Sequence, residues 1–402
     1  MRRHGRRRRP ATALLTAAMV AGTGVPALGA PAAAHPGHGT PGGPHGHDLP
    51  AHIDGGAWDA GHVQGIAVDR RRGYVYYSFT TMLVKTDLAG NVVGTVTGLT
   101  GHLGDLDLNP RDGRVYGSLE YKDAEAFYIA VIDVDEVDEI GMDAETSGVL
   151  TTVHLQEVVD DFTADMDGDG VFDGDVADTA DHRYGCSGID GVSFGPAFGH
   201  RHGRQHGRQL LSVAYGVYSN TERSDNDHQV ILQYDVSRWR HLERPLSEAE
   251  PHRSGPREPA GKYFVRTGNT RYGVQNLEYD PYTGNWLLGV YRGEKPQFPN
   301  HSLYIVDGAA PPVRGPVVGQ PEPEEGMLLS LVEDGRLHEP SGVRGWEFTA
   351  DVGIESFGDG TYYVARQSDV VVDGRSLEAA DLYLHRWTGE VPTPFEQVGG
   401  TR

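Results

Sequence analysis

One cysteine in 402 residues, Cys186, rules out a disulfide within the chain and leaves its thiol as a small hydrophobe expected inside the core. Long apolar runs are missing beyond Ala34, so no later segment predicts a membrane span. Positive charge is scarce too: 35 Lys and Arg face 57 Asp and Glu, and six of those arginines crowd into Met1–Arg9. Setting these six aside leaves 29 basic residues against 57, a formal charge of −28. Such a surface repels nucleic acid and anionic lipid and attracts cations.

What is present begins with that arginine cluster. It precedes the apolar stretch Ala11–Ala30 and the small residues Ala32-Ala33-Ala34. Basic, apolar and small in that order predicts an export signal over 1–34, cleaved after Ala34, and hence a secreted, extracellular protein. Residues 35–54 are rich in His, Gly and Pro, with His35, His38, His45, His47 and His52. This composition buries no core and predicts a disordered tail. Its histidines offer a second reading, loose capture of a transition metal.

From residue 55 to 402 the chain predicts a single domain. A short phrase recurs five times: His62-Val63-Gln64-Gly65-Ile66, His102-Leu103-Gly104-Asp105-Leu106, Gly188-Ile189-Asp190-Gly191-Val192, Gly273-Val274-Gln275-Asn276-Leu277 and Gly353-Ile354-Glu355-Ser356-Phe357. Each opens a set of short runs that alternate in polarity and are rich in Val, Tyr and Trp, four runs to a set. Repetition of one strand–turn–strand unit is the mark of a solenoid or propeller. The expected fold is all-β, a five-bladed β-propeller of four-stranded antiparallel blades. Asp69–Gly73, Asn109–Gly113 and Asp280–Gly284 share one spacing, as hairpins with a left-handed glycine do. The phrases lie 40, 86, 85 and 80 residues apart, and dividing the long intervals gives a rival count of six or seven blades. Those intervals read instead as loops, among them the acidic insertion 160–181.

If the phrase marks the strand nearest the central channel, its third position forms a ring of Gln64, Gly104, Asp190, Gln275 and Glu355. His62 and His102 share the first position on adjacent blades. Polar groups at a narrow mouth bind water, a cation or a substrate, or pair with one another. Two carboxylates with two amide oxygens suit Ca²⁺; two histidines with a carboxylate suit a transition metal. A separate motif, Asp165-Met166-Asp167-Gly168-Asp169-Gly170-Val171-Phe172-Asp173-Gly174-Asp175, places carboxylates at Asp165, Asp167 and Asp169 on a tight loop. Asp173 and Asp175, with the Val171 carbonyl, offer further oxygens for structural Ca²⁺. The segment resembles calcium loops of the EF-hand and thrombospondin-repeat kinds, departing from the EF-hand at its twelfth position, where Val176 replaces the glutamate.

At the level of architecture the chain resembles secreted β-propeller proteins of the calcium-binding hydrolase type. These include calcium-dependent phosphohydrolases, lactonases and five-bladed glycan-cleaving enzymes. The likeness rests on the repeat phrases over about 60–400 and selects no single family. It implies a site at the channel mouth. The glycan-cleaving propellers set three carboxylates there, for which Asp190 and Glu355 have plausible positions and Asp105 stands one residue out of the ring. The expected activity is hydrolysis of a glycan or of an ester or phosphoester, with Asp190 and Glu355 as acid and base. His62 and His102 would assist, and Gln64, Gln275, Asp105 and Arg183 would hold substrate. The rival expectation is a non-catalytic propeller that binds a cell-wall glycan, a protein or a metal. Either way the expected partner is an extracellular small molecule or polysaccharide, taken up by a monomer.

Overall fold

The computed structural model describes residues 49–199 and 209–399. The expected signal peptide, His35, His38, His45 and His47, and the loop around His202 lie outside these residues.

The chain opens with β1 (His52–Trp58), then builds a first sheet from β2 (Val63–Asp69), β3 (Tyr74–Phe79), β4 (Met82–Asp87) and β5 (Val92–Thr97). The second sheet is β6 (His102–Leu108), β7 (Val115–Tyr121), β8 (Ala126–Ile132) and β10 (Leu150–His154), while β9 (Met142–Asp143) returns to the edge of β5. After the short helix α1 (Gln156–Phe162) come β11 (Cys186–Pro196), β12 (Gln209–Val217), β13 (His228–Tyr234) and β15 (Gly261–Arg266), with β14 (Arg244–Pro245) laid against β10. The fourth sheet holds β16 (Arg271–Asp280), β17 (Asn285–Tyr291) and β18 (Leu303–Val306). Its expected outer strand, Met327–Val332, is largely diverted. β19 (Val313–Pro316) and β20 (Glu325–Leu328) extend the third sheet instead, and only Leu331 bridges to Val306. A small hairpin, β21 (Arg336–His338) and β22 (Val343–Gly345), stands beside β18. The last sheet is β23 (Ile354–Ser356), β24 (Thr361–Val372) and β25 (Arg375–Trp387).

Two strands share the outer edge of this last sheet. β1 pairs with β25 from Tyr383 back to Glu378, and β26 (Phe395–Gln397) pairs with it from His385 to Trp387. The N-terminal strand thus completes the C-terminal blade. His52, expected in a disordered tail, is part of that strand; its Nε2 meets Asp381 Oδ1 at 2.5 Å and its ring stacks on Tyr383.

The core makes the blade count plain. It divides into five apolar clusters, each drawn from two consecutive sheets. Ile66, Val75 and Tyr77 of the first sheet pack with Tyr363, Ala365 and Leu382 of the last, which closes the ring. Burying one Val, Leu or Ile contributes about 1.5–3 kcal/mol, against roughly 0.5–1.5 kcal/mol net for a hydrogen bond. Side-chain packing between blades therefore holds the ring together. The molecule is a five-bladed β-propeller. Its long intervals are loops that add edge strands to existing blades.

The hairpin turns form as their spacing predicts. Gly73, Gly113 and Gly284 take φ of 77°, 74° and 79°, and donate their N–H groups to the carbonyls of Asp69, Asn109 and Asp280. Among the described residues no helix is long and apolar enough to cross a membrane.

Candidate functional site

Hairpin register, counted outward from these turns, decides which side chains share a level of the channel. Ile66 pairs with Tyr77, Leu106 with Gly117, Val192 with Val213 and Leu277 with Leu288; on the last blade the equivalent pair is Ile354 with Val364. The fifth phrase is therefore three residues out of step with the others. Two residues before these anchors stand Gln64, Gly104, Asp190 and Gln275, joined on the fifth blade by buried Val352.

Glu355 falls instead beside Asp107, Ser193 and Glu278, one residue past the anchors, and these four make a chain of staples between blades. Asp107 Oδ2 accepts from Phe194 N at 2.5 Å, and Ser193 Oγ from Tyr279 N at 3.0 Å. Glu278 Oε1 accepts from Ser356 N at 2.7 Å, and Glu355 Oε2 from Val68 N at 3.2 Å. Each side chain reaches the backbone of the following blade. Asp105, expected to hold substrate, is committed in the same way: its carboxylate accepts from Leu106 N, Val192 N and Leu277 N at 2.9, 3.0 and 2.9 Å. Burial raises Asp105, Glu278 and Glu355 well above the usual carboxyl range, and Asp107 to about 7. The pairing of Asp190 with Glu355 across one mouth is thus corrected. Glu355 and Asp105 are structural members of the channel, and neither lines the cavity described next.

That cavity, about 1190 Å³, is lined by His62, Gln64, His102, Asp190 and Gln275 together. It also takes in Glu120 and Lys122, which the phrases did not flag. Glu120 lies directly across the β6–β7 ladder from His102. Its Oε2 accepts from Ile189 N at 3.0 Å, and its Oε1 lies 3.5 Å from Lys122 Nζ. This reach depends on Gly188, held at φ 122°, because a Cβ there would sit 1.9 Å from Glu120 Oε2. Gly104 makes similar room for Asp190, whose Oδ1 would lie 3.0 Å from a Cβ.

Asp190 is 7 % exposed. Its Oδ2 accepts from Gln275 Nε2 at 2.9 Å, while Oδ1 has no hydrogen-bond partner and stands 3.7 Å from His102 Nδ1. The same nitrogen is 3.6 Å from Glu120 Oε1 and also lacks a hydrogen bond. Burial, then the neighbouring Glu120, raises Asp190 well above its usual range, against the pull of Lys122 and Gln275. Burial also lowers His102, with Lys122 and His62 adding to the effect and Glu120 opposing it. Both shifts favour the neutral forms of the imidazole and the carboxyl at this contact. Burial would lower Lys122, but Glu120, Asp175 and Asp190 outweigh it and hold the ammonium above its ordinary value.

The other expected site residues divide. His62 reaches Glu378 at 3.6 Å on the cavity rim, and Gln64 donates to Thr80 Oγ1 at 3.1 Å. Arg183 stands apart from the cavity, bound to Glu324 at 3.0 Å and lying over Tyr184. Of the acidic loop, Asp165, Asp167 and Asp169 bring one oxygen each within 4.8 Å of one another, the only such metal-sized group among the described residues. His102, Glu120 and Asp190 do not form one. Loop amides hold the triad open: Gly168 N and Gly170 N donate to Asp165, Asp169 N to Asp167 and Val171 N to Asp169. Asp173 is drawn off by Thr179 Oγ1 at 2.5 Å. Asp175 turns away to the cavity, where it accepts from Tyr218 Oη and stands 3.8 Å from Lys122.

Register explains what the phrases missed. Glu120 becomes visible once β6 and β7 are paired through the Asn109–Gly113 turn with one bulge between Leu103 and Leu106. Arg271, Tyr272 and Asp351, which also line the cavity, sit on bulged or irregular segments that no periodic pattern marks.

No protein-family profile matches the chain, and no curated protein does. Solved structures similar to it include Saccharomyces cerevisiae Sqt1, at 12 % identity and TM-score 0.30 over 81 % of this chain, which spans 59 % of Sqt1. The Dos1 propeller is 11 % identical, with TM-score 0.30 over 80 % of this chain and 78 % of its own. A protein of unknown function from Bacteroides caccae is 9 % identical, with TM-score 0.27 over 68 % and 87 %. These likenesses concern the fold alone.

Proposed function

We propose that the cavity at the channel mouth is a hydrolytic site for a glycan or an ester. Asp190 acts as the general acid and Glu120 as the base that activates water. One observation carries the reading: a buried carboxyl with a free oxygen stands beside a second carboxylate at the floor of an open cavity. The environments of the two differ. Asp190 is desolvated, which favours its protonated form. Glu120 accepts from a backbone N–H and lies 3.5 Å from the Lys122 ammonium. A desolvated carboxyl beside a hydrogen-bonded one is the division of labour that acid–base hydrolysis requires. His102 faces both carboxyls, and His62 and Gln275 complete the polar lining.

The protein is exported, in this reading, and works as a monomer on extracellular material. Ca²⁺ is its structural ion, held by Asp165, Asp167 and Asp169, whose oxygens are close enough to share one cation. Bound there it would fix the loop that delivers Asp175 to the cavity rim.

The test is turnover of a panel of plant and bacterial polysaccharides and aryl esters by the mature protein and three variants. Asp190→Asn and Glu120→Gln should each lose 10²–10⁴-fold in kcat, a typical range for removing a general acid or base, whereas Glu355→Gln should keep it. Binding of a panel member without turnover would move the protein to the non-catalytic reading. Equal loss in Glu355→Gln and Asp190→Asn would restore the pairing that the register argues against.

A further inference from the structure

The cavity lining also carries a cation and an aromatic ring that the acid–base chemistry does not use. Arg271 and Tyr272 begin β16, where the ladder to β17 is broken twice, between Arg271 and Val274 and again between Val274 and Asn276. A bulge re-aims side chains, and here both neighbours line the cavity. Tyr272 takes φ 59°, a conformation that costs a non-glycine residue of order 1 kcal/mol or more, and its side chain is left 49 % exposed. Strain with no packing return is expected where a ligand, rather than the core, uses the ring. The adjoining Gly273 is essential to the turn, since a Cβ there would meet Tyr215 O at 2.1 Å. Gln275 Nε2 donates both to Tyr272 O, at 2.7 Å, and to Asp190 Oδ2, at 2.9 Å, so the bulge is tied to the acid.

Arg271 is the cation of this lining with no acidic partner among the described residues. Lys122 is engaged by Glu120 and Asp175, and Arg292 by Glu347. Among the described residues Arg271 makes no ion pair, and its charge is felt by the Tyr291 hydroxyl. In a chain with 57 acidic residues against 35 basic ones, an unpaired guanidinium facing a cavity is a vacancy for an anion. A guanidinium binds a carboxylate in bidentate fashion, and a tyrosine face covers the apolar side of a sugar ring. Phosphate at the reacting centre fits less well, because Glu120 and Asp190 already bring negative charge or its precursor to the floor. A monoanion held at a distance from the scissile bond meets no such repulsion.

We propose that Arg271 and Tyr272 form a subsite for a uronic acid residue, so that the substrate is an acidic glycan. The inference rests on the hydrolytic reading of the same cavity. Its test separates the two by measuring binding on the Asp190→Asn background, where turnover is removed. Titration calorimetry would use trisaccharides derived from pectin, alginate and heparosan, each beside its carboxyl-reduced counterpart. At least one acidic trisaccharide should bind at least ten-fold more tightly than its reduced form. Arg271→Gln should abolish that preference, Arg271→Lys should keep part of it, and Tyr272→Ala should weaken both forms alike. Equal binding of the acidic and reduced forms, binding of none of the three, or an unaltered preference in Arg271→Gln overturns the subsite. Hydrolysis of neutral glycans without charge preference would sink the subsite and leave the hydrolase standing. Selective binding without turnover by the unmodified protein does the reverse.

Discussion

Two glycines decide whether the acid–base pair exists. Gly188 lets Glu120 reach Ile189 N, and Gly104 leaves space beside Asp190 Oδ1. Gly188→Ala is the sharper probe, since the new Cβ would occupy the position of Glu120 Oε2 and φ 122° disfavours any side chain. The expected outcome is a stability loss of about 1–3 kcal/mol with activity reduced at least as far as in Glu120→Gln. Combining Gly188→Ala with Glu120→Gln should then cost little further activity, because the two changes remove one interaction. Additive losses in kcat would show that Gly188 serves something other than Glu120. At this scale the sequence was half legible. His62, His102, Asp190 and Gln275 were found through their phrases, and the structure brings all four into one cavity. Glu355 falls out of the ring because a Gly-apolar-acidic triplet occurs three residues late on the fifth blade, and only strand pairing reveals the slip.

At the scale of elements, strands with a strong period of two were readable and elements defined by long-range pairing were not. The inner three strands of every blade lie where alternation put them, since both the turn chemistry and the buried faces are local. The tail boundary at residue 54 falls inside β1, because His52-Ile53-Asp54 follows directly on the His-, Gly- and Pro-rich stretch. Its partner, β25, lies more than 300 residues away, and no local pattern announces it. Ile53 is 2 % exposed and packs in the cluster that joins the last blade to the first. Ile53→Ala should therefore cost about 2–4 kcal/mol, lowering the thermal midpoint without shifting the response to denaturant concentration per mole. Ile53→Asp should open the blade seam, seen as early hydrogen exchange in β1 and β25 before the rest of the ring. Uniform exchange across all five blades would mean that β1 is not the ring's weak closure. The acidic loop belongs to this scale as well. Phe172 pins it by packing on Phe162 and His182, with ring centroids 5.5 and 5.4 Å away. Ca²⁺ should then protect residues 163–181 from proteolysis, an effect that Asp165→Asn with Asp167→Asn removes.

The whole molecule carries a charge problem along its axis. Asp105 and Glu278 are buried in the channel, Asp107 and Glu355 are half-buried there, and each ties one blade to another. Their folded pKa values are raised above those of an unfolded chain, so folding takes up protons as the pH rises into this range. The stability they permit is full in acid and is lost as the pH climbs, for Asp107 between 3.8 and about 7. Buried histidines oppose this trend. His154 and His228 are lowered to about 4, mainly by burial, so their contribution is lost as the pH falls from 6.5 toward that value. The two trends cross, and the melting temperature should pass through a maximum between about pH 5 and 7. Glu278→Gln tests the carboxylate side alone. Its amide oxygen can still accept from Ser356 N, yet it carries no charge beside Glu355 and Asp107. The variant should match the parent near pH 5 and melt progressively higher than it toward pH 8. Glu355→Gln should behave alike, with turnover unchanged at every pH. A constant offset between variant and parent across that range would mean that Glu278 does not titrate in the fold. The blades would then be stapled by carboxylates that remain charged even in the dry channel.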